Sequence, residues 1–297
     1  PADGVEACAV RWLFVLLFYW GIVQLLNRTT LAIVFRCLAW SGVVVMAYSL
    51  LQLVGLDQFF QELDTTKRTW LVGMSGNPTH YAAYLALLLP IYLLQTVQQP
   101  WWWAAVGLAC GLIGLTHSVG GQLAMAVALL WWCAWQHRAW FPWLVGGLLL
   151  LGLGVAYGFA DTLNPHGRWQ AWSAYWRLFT TTQHAITGFG LGFIHQLSTT
   201  ITDTTHPLFQ WRHVHNEYFQ LAIEQGVIGI GLLGWALVDV TRWFLRLEKS
   251  PLVLCCTALL LGFGVLSLTN FPAHLWLLGS LGLLGYSGLY LLAGETA

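Results

Sequence analysis

Apolar runs of about 20 residues, the length that crosses a bilayer as a helix, recur along the whole of this sequence. They can be drawn at 10–26, 31–56, 78–97, 101–117, 120–136, 140–160, 218–240, 252–268 and 273–293. None shows the alternating ten-residue pattern of a membrane β-barrel strand. The expected fold class is therefore all-α: a polytopic helical membrane protein with about nine transmembrane helices, 1–297 forming a single membrane domain. Composition agrees, with 58% of residues hydrophobic and only 8% charged, against about 25% charged in a soluble domain. The net charge is zero, which gives nucleic acid no electrostatic footprint. The six cysteines lie in or beside apolar runs, where they read as packing residues and show no disulfide or zinc spacing.

The chain begins with Pro1 and has no basic region before its first apolar run. No signal peptide is expected, and the numbering reads as starting inside a longer protein.

Orientation follows from the connecting loops. The short loops 27–30, 98–100, 136–139 and 241–251 carry Arg28, Arg138, Arg242, Arg246 and Lys249 against the single acid Glu248. The alternate side receives loops 57–77 and 161–217, where both signs are mixed. The positive-inside rule makes the first side cytoplasmic. The tryptophans of 101–103 and 131–143 then form a belt at the cytoplasmic interface. The long loop 161–217 faces outward, and its aromatic and glycine content is not that of a disordered segment. Within it, GRWQAWSAYWRLF places Trp169, Trp172, Trp176 and Phe179 on one helical stripe. This is the pattern of an amphipathic helix at the membrane surface, or of a simple interfacial anchor.

Four polar clusters fall on the outer side of this topology: GNPTHY (76–81), THSVGG (116–121), HVHNEY (213–218) and NFPAH (270–274). Nine of the ten histidines share that side, His137 being the exception. An enzyme site at a water–lipid boundary gathers residues this way, whereas an ion pathway places ionisable groups at mid-membrane. His215 is the candidate general base, because imidazole titrates near neutral pH; the alternative is that it caps or packs. Asn216 reads as a helix cap. Glu224 stands about two turns inside the seventh run, where a carboxylate is expensive. It shares a helical face with Glu217 but not with His215, and a basic partner on a neighbouring span is expected. His213 is left unassigned. No third histidine, cysteine or carboxylate stands at a metal-ligand spacing, so no metal or other cofactor is expected. GFGLGF (188–193) lacks the strand–turn–helix setting of a nucleotide loop and reads instead as a compact turn close to the membrane or a ligand. Arg168, Arg177 and Arg212 lie in the outer loop, and guanidinium groups hold phosphates by paired hydrogen bonds. Asn77, His80 and His117, from the converging clusters, complete the candidate substrate-binding set.

In order, GNPTHYAAYLALLLP (76–90), GRWQAWSAYWRLF with ITGFGLGF (167–193), HVHNEYFQLAIEQGVIG (213–229) and LTNFPAHL (268–275) resemble the O-antigen ligase and O-antigen polymerase superfamily of integral-membrane glycosyltransferases. The resemblance implies about twelve spans with three after the large periplasmic loop, so that about three N-terminal spans would precede this chain. It implies an inverting, metal-independent transfer of a glycan from a polyprenyl pyrophosphate carrier, in the inner membrane with the active site facing the periplasm. The acceptor would be the lipid A core, or a growing glycan or a protein hydroxyl in the related polymerases and oligosaccharyltransferases. The family's loop histidine falls on His215, its loop arginine on Arg168 and its helix glutamate on Glu224. One departure concerns the Ser-Arg-Gly that follows the fourth span in the family, which reads Ser118-Val119-Gly120 here. Arg212 then becomes the candidate to hold the carrier phosphate. The rival of another class is a transporter or flippase for a lipid-linked glycan, and the third possibility is a structural membrane subunit.

Overall fold

A computed structural model describes residues 2–57, 71–136, 139, 142, 146, 168–180, 183–200 and 213–295. All regular structure among them is helical. Among the described residues the α-helices are α1 (Ala2–Leu25), α2 (Arg28–Leu53), α3 (Pro78–Thr96), α4 (Trp102–Leu115), α5 (Val119–Gln136), α6 (Arg168–Thr180), α7 (Phe193–Thr200), α8 (Glu217–Arg246), α9 (Pro251–Thr269) and α10 (Trp276–Gly294). Eight of the nine apolar runs coincide with helices, and the sixth, 140–160, lies outside the described residues apart from 142 and 146. Among the described residues four helices are long and apolar enough to cross a membrane: α2, α8, α9 and α10. Leu13–Leu25 and Trp102–Leu115 are shorter apolar stretches.

The centre of the bundle is α3. Asn77 caps it, accepting from the backbone N–H groups of Thr79 (2.8 Å) and His80 (3.3 Å). Pro78 follows at the first helical position, where its missing N–H costs nothing. Beyond this polar start, every residue from Tyr81 to Thr96 is buried. A helix apolar all round has no solvent face to present, and α3 is enclosed by α2, α4, α5, α9 and α10.

Small residues set how closely these helices approach, as they do where lipid removes the hydrophobic drive between helices. Gly282, Gly285 and Gly288, spaced by three along α10, lie against Phe263, Leu259 and Cys256 of α9. Gly121 of α5 meets Ala82 of α3 in the same way. By contrast α8 turns Val227, Ile230, Trp235 and Leu245 outward, an apolar exterior suited to lipid chains.

The two ends of the bundle differ. At the end holding the C-terminus of α3, Trp101 stacks on Trp102 with centroids 4.3 Å apart, and both approach Trp40. Between α8 and α9, Lys249 sits over the ring of Phe244 at 4.2 Å, beside Trp135. The opposite end, where α3, α8 and α10 begin, carries the histidines.

A second, smaller core lies at that histidine end. Ala171 and Tyr175 of α6, Ile194 of α7, Val214, and Ile223 of α8 are fully buried together. The helix over 168–180 is thus present. Ala171 and Tyr175 point inward, Trp172 and Phe179 flank them, and Trp176 is exposed.

Candidate functional site

The site is built around the start of α8. Asn216 accepts from the Phe219 N–H (3.0 Å) as the helix cap, and its amide donates to the Leu268 carbonyl (3.3 Å) at the end of α9. Just before it, His215 takes a left-handed backbone (φ 55°), uncommon for a side chain that is not glycine. The turn is held from both sides. The Val214 N–H donates to the Gln220 side-chain oxygen (3.3 Å), and the Val214 carbonyl accepts from the Trp172 indole (2.7 Å). Helix α6 is thereby pinned to the histidine segment.

Nine residues later α8 breaks. Gly226 has φ 63° and ψ −157°, a conformation open essentially to glycine alone. Breaking a helix leaves carbonyls and N–H groups to be satisfied elsewhere, and the glycine-rich turn supplies the partners. Phe189 N–H donates to the Ile223 carbonyl (3.0 Å), Gly190 N–H to the Glu224 carbonyl (2.9 Å), and Ile228 N–H to the Ile186 carbonyl (3.2 Å). The approach is close enough that a Cβ at Gly188 would overlap the Glu224 backbone, and one at Gly226 the Ile186 carbonyl. GFGLGF is therefore a compact turn, and what it packs against is the break in α8.

The Glu224 side chain is buried, 5% exposed. Its oxygen accepts from the Ile194 N–H at the first turn of α7 and from the Gln220 amide, both at 3.3 Å. Its hydrogen bonds come from one backbone N–H of α7 and from Gln220 of its own helix, and His274 is the basic group whose charge acts on it. A carboxylate at a helix N-terminus gains both from the donors and from the dipole. Tyr175 lies close by, and burial first, then the charge of Glu224, pushes its phenol upward.

The histidines gather around Phe271. His213 stacks on its ring (centroids 4.4 Å), while His215 (4.9 Å) and His80 (5.5 Å) meet it edge-on. His274, three residues on, is 4.7 Å from the His213 ring. Its Nδ1 lies 3.1 Å from both carboxylate oxygens of Glu217. That carboxylate is fixed in turn by the Ala273 N–H at 2.8 Å. On its other edge His274 Nε2 lies 3.2 Å from the Gln220 amide nitrogen. A continuous polar chain thus runs from Glu217 through His274 and Gln220 to Glu224 and the start of α7.

This chain forms the polar end of a cleft of about 810 Å³. His195, His213, Glu217, Gln220, Glu224 and His274 face it at that end. The rest is apolar, running between α8, α9 and α10 past Leu237, Val240, Leu260, Phe263 and Leu283, with Phe14 of α1 along one side. From Glu224 to Val240 the lining follows about 24 Å of helix, at 1.5 Å per residue, most of a bilayer's hydrocarbon thickness.

Of the residues expected from the sequence, Glu224 lines this cleft. His215 and His80 stand beside it around Phe271, not among its lining residues. Asn77 serves as the cap of α3. His117 is exposed on the turn before α5, whose Gly120 packs on Thr269 at the same end of the bundle. Arg177 is exposed, its Nε 3.4 Å from the Ser173 carbonyl. Arg168 begins α6, but its side chain and the whole of Arg212 lie outside the described residues. His274, Glu217 and Gln220 were not among the expected site residues. NFPAH had marked the polar turn, but no local spacing joins His274 to a carboxylate 57 positions away. Among the described residues no group of three or more histidines, cysteines and carboxylates could hold a metal ion. No protein-family model matches the sequence, and no curated protein is matched by it.

Proposed function

We propose that this protein is a membrane glycan transferase of the O-antigen ligase type. The observation that carries the reading is the cleft. Its polar end combines imidazoles with two carboxylates, and its body is an apolar trough between bilayer-length helices. A substrate with a sugar and pyrophosphate head on a long isoprenoid tail has both halves of that description. The polyprenyl tail would lie along α8, with the pyrophosphate at the histidine end. Arg168 and Arg177 on α6, together with Arg212, would neutralise the departing pyrophosphate. Arginine suits this work because its charge persists and its donors match phosphate oxygens in pairs.

In this reading about nine spans sit in the inner membrane, α6 lies along the outer surface, and the histidine end faces the periplasm. The acceptor hydroxyl, on the lipid A core, attacks the anomeric carbon from the face opposite the phosphate. The new glycosidic bond forms as the carbon–oxygen bond to phosphate breaks, so the configuration inverts. No cofactor and no metal takes part in this scheme. A polysaccharide polymerase or a protein oligosaccharyltransferase would use the same site with a different acceptor. A flippase for the lipid-linked glycan is the reading of another class.

One experiment separates these. Purified protein in nanodiscs is given a polyprenyl-pyrophosphate-linked glycan and, in parallel, lipid A core, free glycan or a pilin-like peptide. The expected result is a mass increase of the lipid A core by the whole glycan. Gain on free glycan or peptide would redirect the acceptor, and movement of donor across vesicles with no new product would overturn transfer in favour of transport.

A further inference from the structure

The geometry points to His274, backed by Glu217, as the group that accepts the proton of the attacking hydroxyl, a role that the sequence reading gives to His215. The inference rests on the transfer reading above.

Position is the first argument. His274 and Glu217 both line the cleft, whereas His215 packs its ring edge against Phe271 beside it. A base must reach the proton it removes within hydrogen-bond distance, so a residue on the wall of the substrate cavity is better placed than one outside that wall.

Protonation state is the second. Gln220 is oriented by the Val214 N–H, which can donate only to its side-chain oxygen. Its amide nitrogen is thereby the atom turned toward Glu224 and toward His274 Nε2. An amide nitrogen donates and cannot accept, so His274 Nε2 carries the lone pair and Nδ1 carries the hydrogen. That hydrogen points at the Glu217 carboxylate, 3.1 Å away. The ring therefore presents a basic nitrogen on the side of the cleft with a carboxylate behind it, the arrangement that orients an imidazole and stabilises its cation.

Among the described residues, the acidic and imidazole groups that share its end of the cleft come from three segments. Glu217 and Glu224 come from α8, His213 from the segment before it, and His195 from α7. Glu217 is the one in direct contact with the ring edge, and it is held still by the Ala273 N–H.

In the step itself, the acceptor hydroxyl replaces the Gln220 amide at His274 Nε2. Its oxygen bonds to the anomeric carbon, the bond from that carbon to the phosphate oxygen breaks, and the pyrophosphate leaves with the bonding pair. The hydroxyl proton passes to Nε2, giving an imidazolium facing Glu217, and is then returned to water.

The test compares wild type with His274→Gln, His274→Ala, Glu217→Gln and His215→Ala in nanodiscs with the carrier-linked glycan. His274→Gln is expected to lower kcat by about 100- to 10,000-fold, the range of general-base loss, while KM for the carrier stays near wild type. Added imidazole is expected to restore part of the His274→Ala activity and none of the His215→Ala loss. A His274→Gln enzyme with wild-type kcat, or imidazole rescue of His215→Ala alone, overturns the assignment. Histidine side-chain ¹⁵N spectra give a readout that needs no activity. The His274 resonance, assigned by its absence in His274→Gln, should report the Nδ1–H form and move toward Nε2–H in Glu217→Gln. An Nε2–H form in wild type overturns the proposal. If wild type transfers glycan to no acceptor, the transfer reading falls and the base role falls with it, while the spectra still report whether the His274–Glu217 pair exists.

Discussion

Gly226 is the position at which a single methyl group would do most damage. Its dihedrals lie where an L-residue is strained, and a Cβ there would strike the Ile186 carbonyl. Gly226→Ala is expected to cost at least about 3 kcal/mol, combining backbone strain with a clash against backbone that has nowhere to move. Reversible unfolding in mixed micelles, followed by tryptophan fluorescence, would measure it; a change under 1 kcal/mol (about a tenth of typical total stability) would mean that the break is not rigid. Legibility at this scale divides cleanly. Asn216 as a cap was readable, because a cap is a local rule: a short polar side chain ahead of an apolar run. The backbone donor to Glu224 was not, since it is the Ile194 N–H of α7, 30 positions away, and the backbone N–H of one residue looks like any other in a sequence. His274 was visible as part of a polar turn, while its carboxylate was hidden by the fold that brings α8 and α10 side by side.

At the scale of elements, a buried phenol ring and an indole hydrogen bond are among the contacts that hold α6. Tyr175 is fully buried, and its phenol is pushed up by that burial and by Glu224. A phenol whose folded value is raised holds its contribution fully below its unfolded value, about pH 10, and loses it as pH rises through the folded one. The docking of α6 is therefore expected to weaken above about pH 10, seen as increased protease cleavage between α6 and α7, and Tyr175→Phe should flatten that dependence. Unchanged cleavage in wild type across this range would show that the helix is held by something else. The existence of the helices was legible because apolar runs and caps declare themselves within one segment. Which stripe of α6 packs was not, because its surface is aromatic on more than one side. The break in α8 was also invisible, since an apolar helix containing glycines reads the same whether or not a loop is stitched into it.

For the whole molecule, the clearest asymmetry is between its ends. The Trp40–Trp101–Trp102 cluster, Lys249 and Arg246 lie at one, the described histidines and their carboxylates at the other. If the positive-inside assignment is right, a cysteine placed at exposed Met74 or Val119 should be labelled by a membrane-impermeant maleimide from the periplasm, and one at Glu248 only after the membrane is opened. Reversed labelling would turn the proposed site toward the cytoplasm and remove its carrier. In this case an all-helical architecture followed from run lengths alone, and so did the convergence of the polar turns on one end. The cleft did not follow, because a cavity is defined by which surfaces fail to touch, and no residue pattern encodes a gap between α8 and α10.

The stitching of 186–190 onto the broken α8 has a consequence for isotope exchange. Irregular backbone at a membrane surface ordinarily trades its amide hydrogens with water quickly. Here the amides of Phe189, Gly190 and Ile228 are bonded across to carbonyls of another segment. In deuterated buffer they should exchange on the slow timescale of the surrounding helix and should be released together rather than one by one. Deuterium uptake followed by mass would then register a turn without regular structure and a helix with a break in it as one cooperative unit.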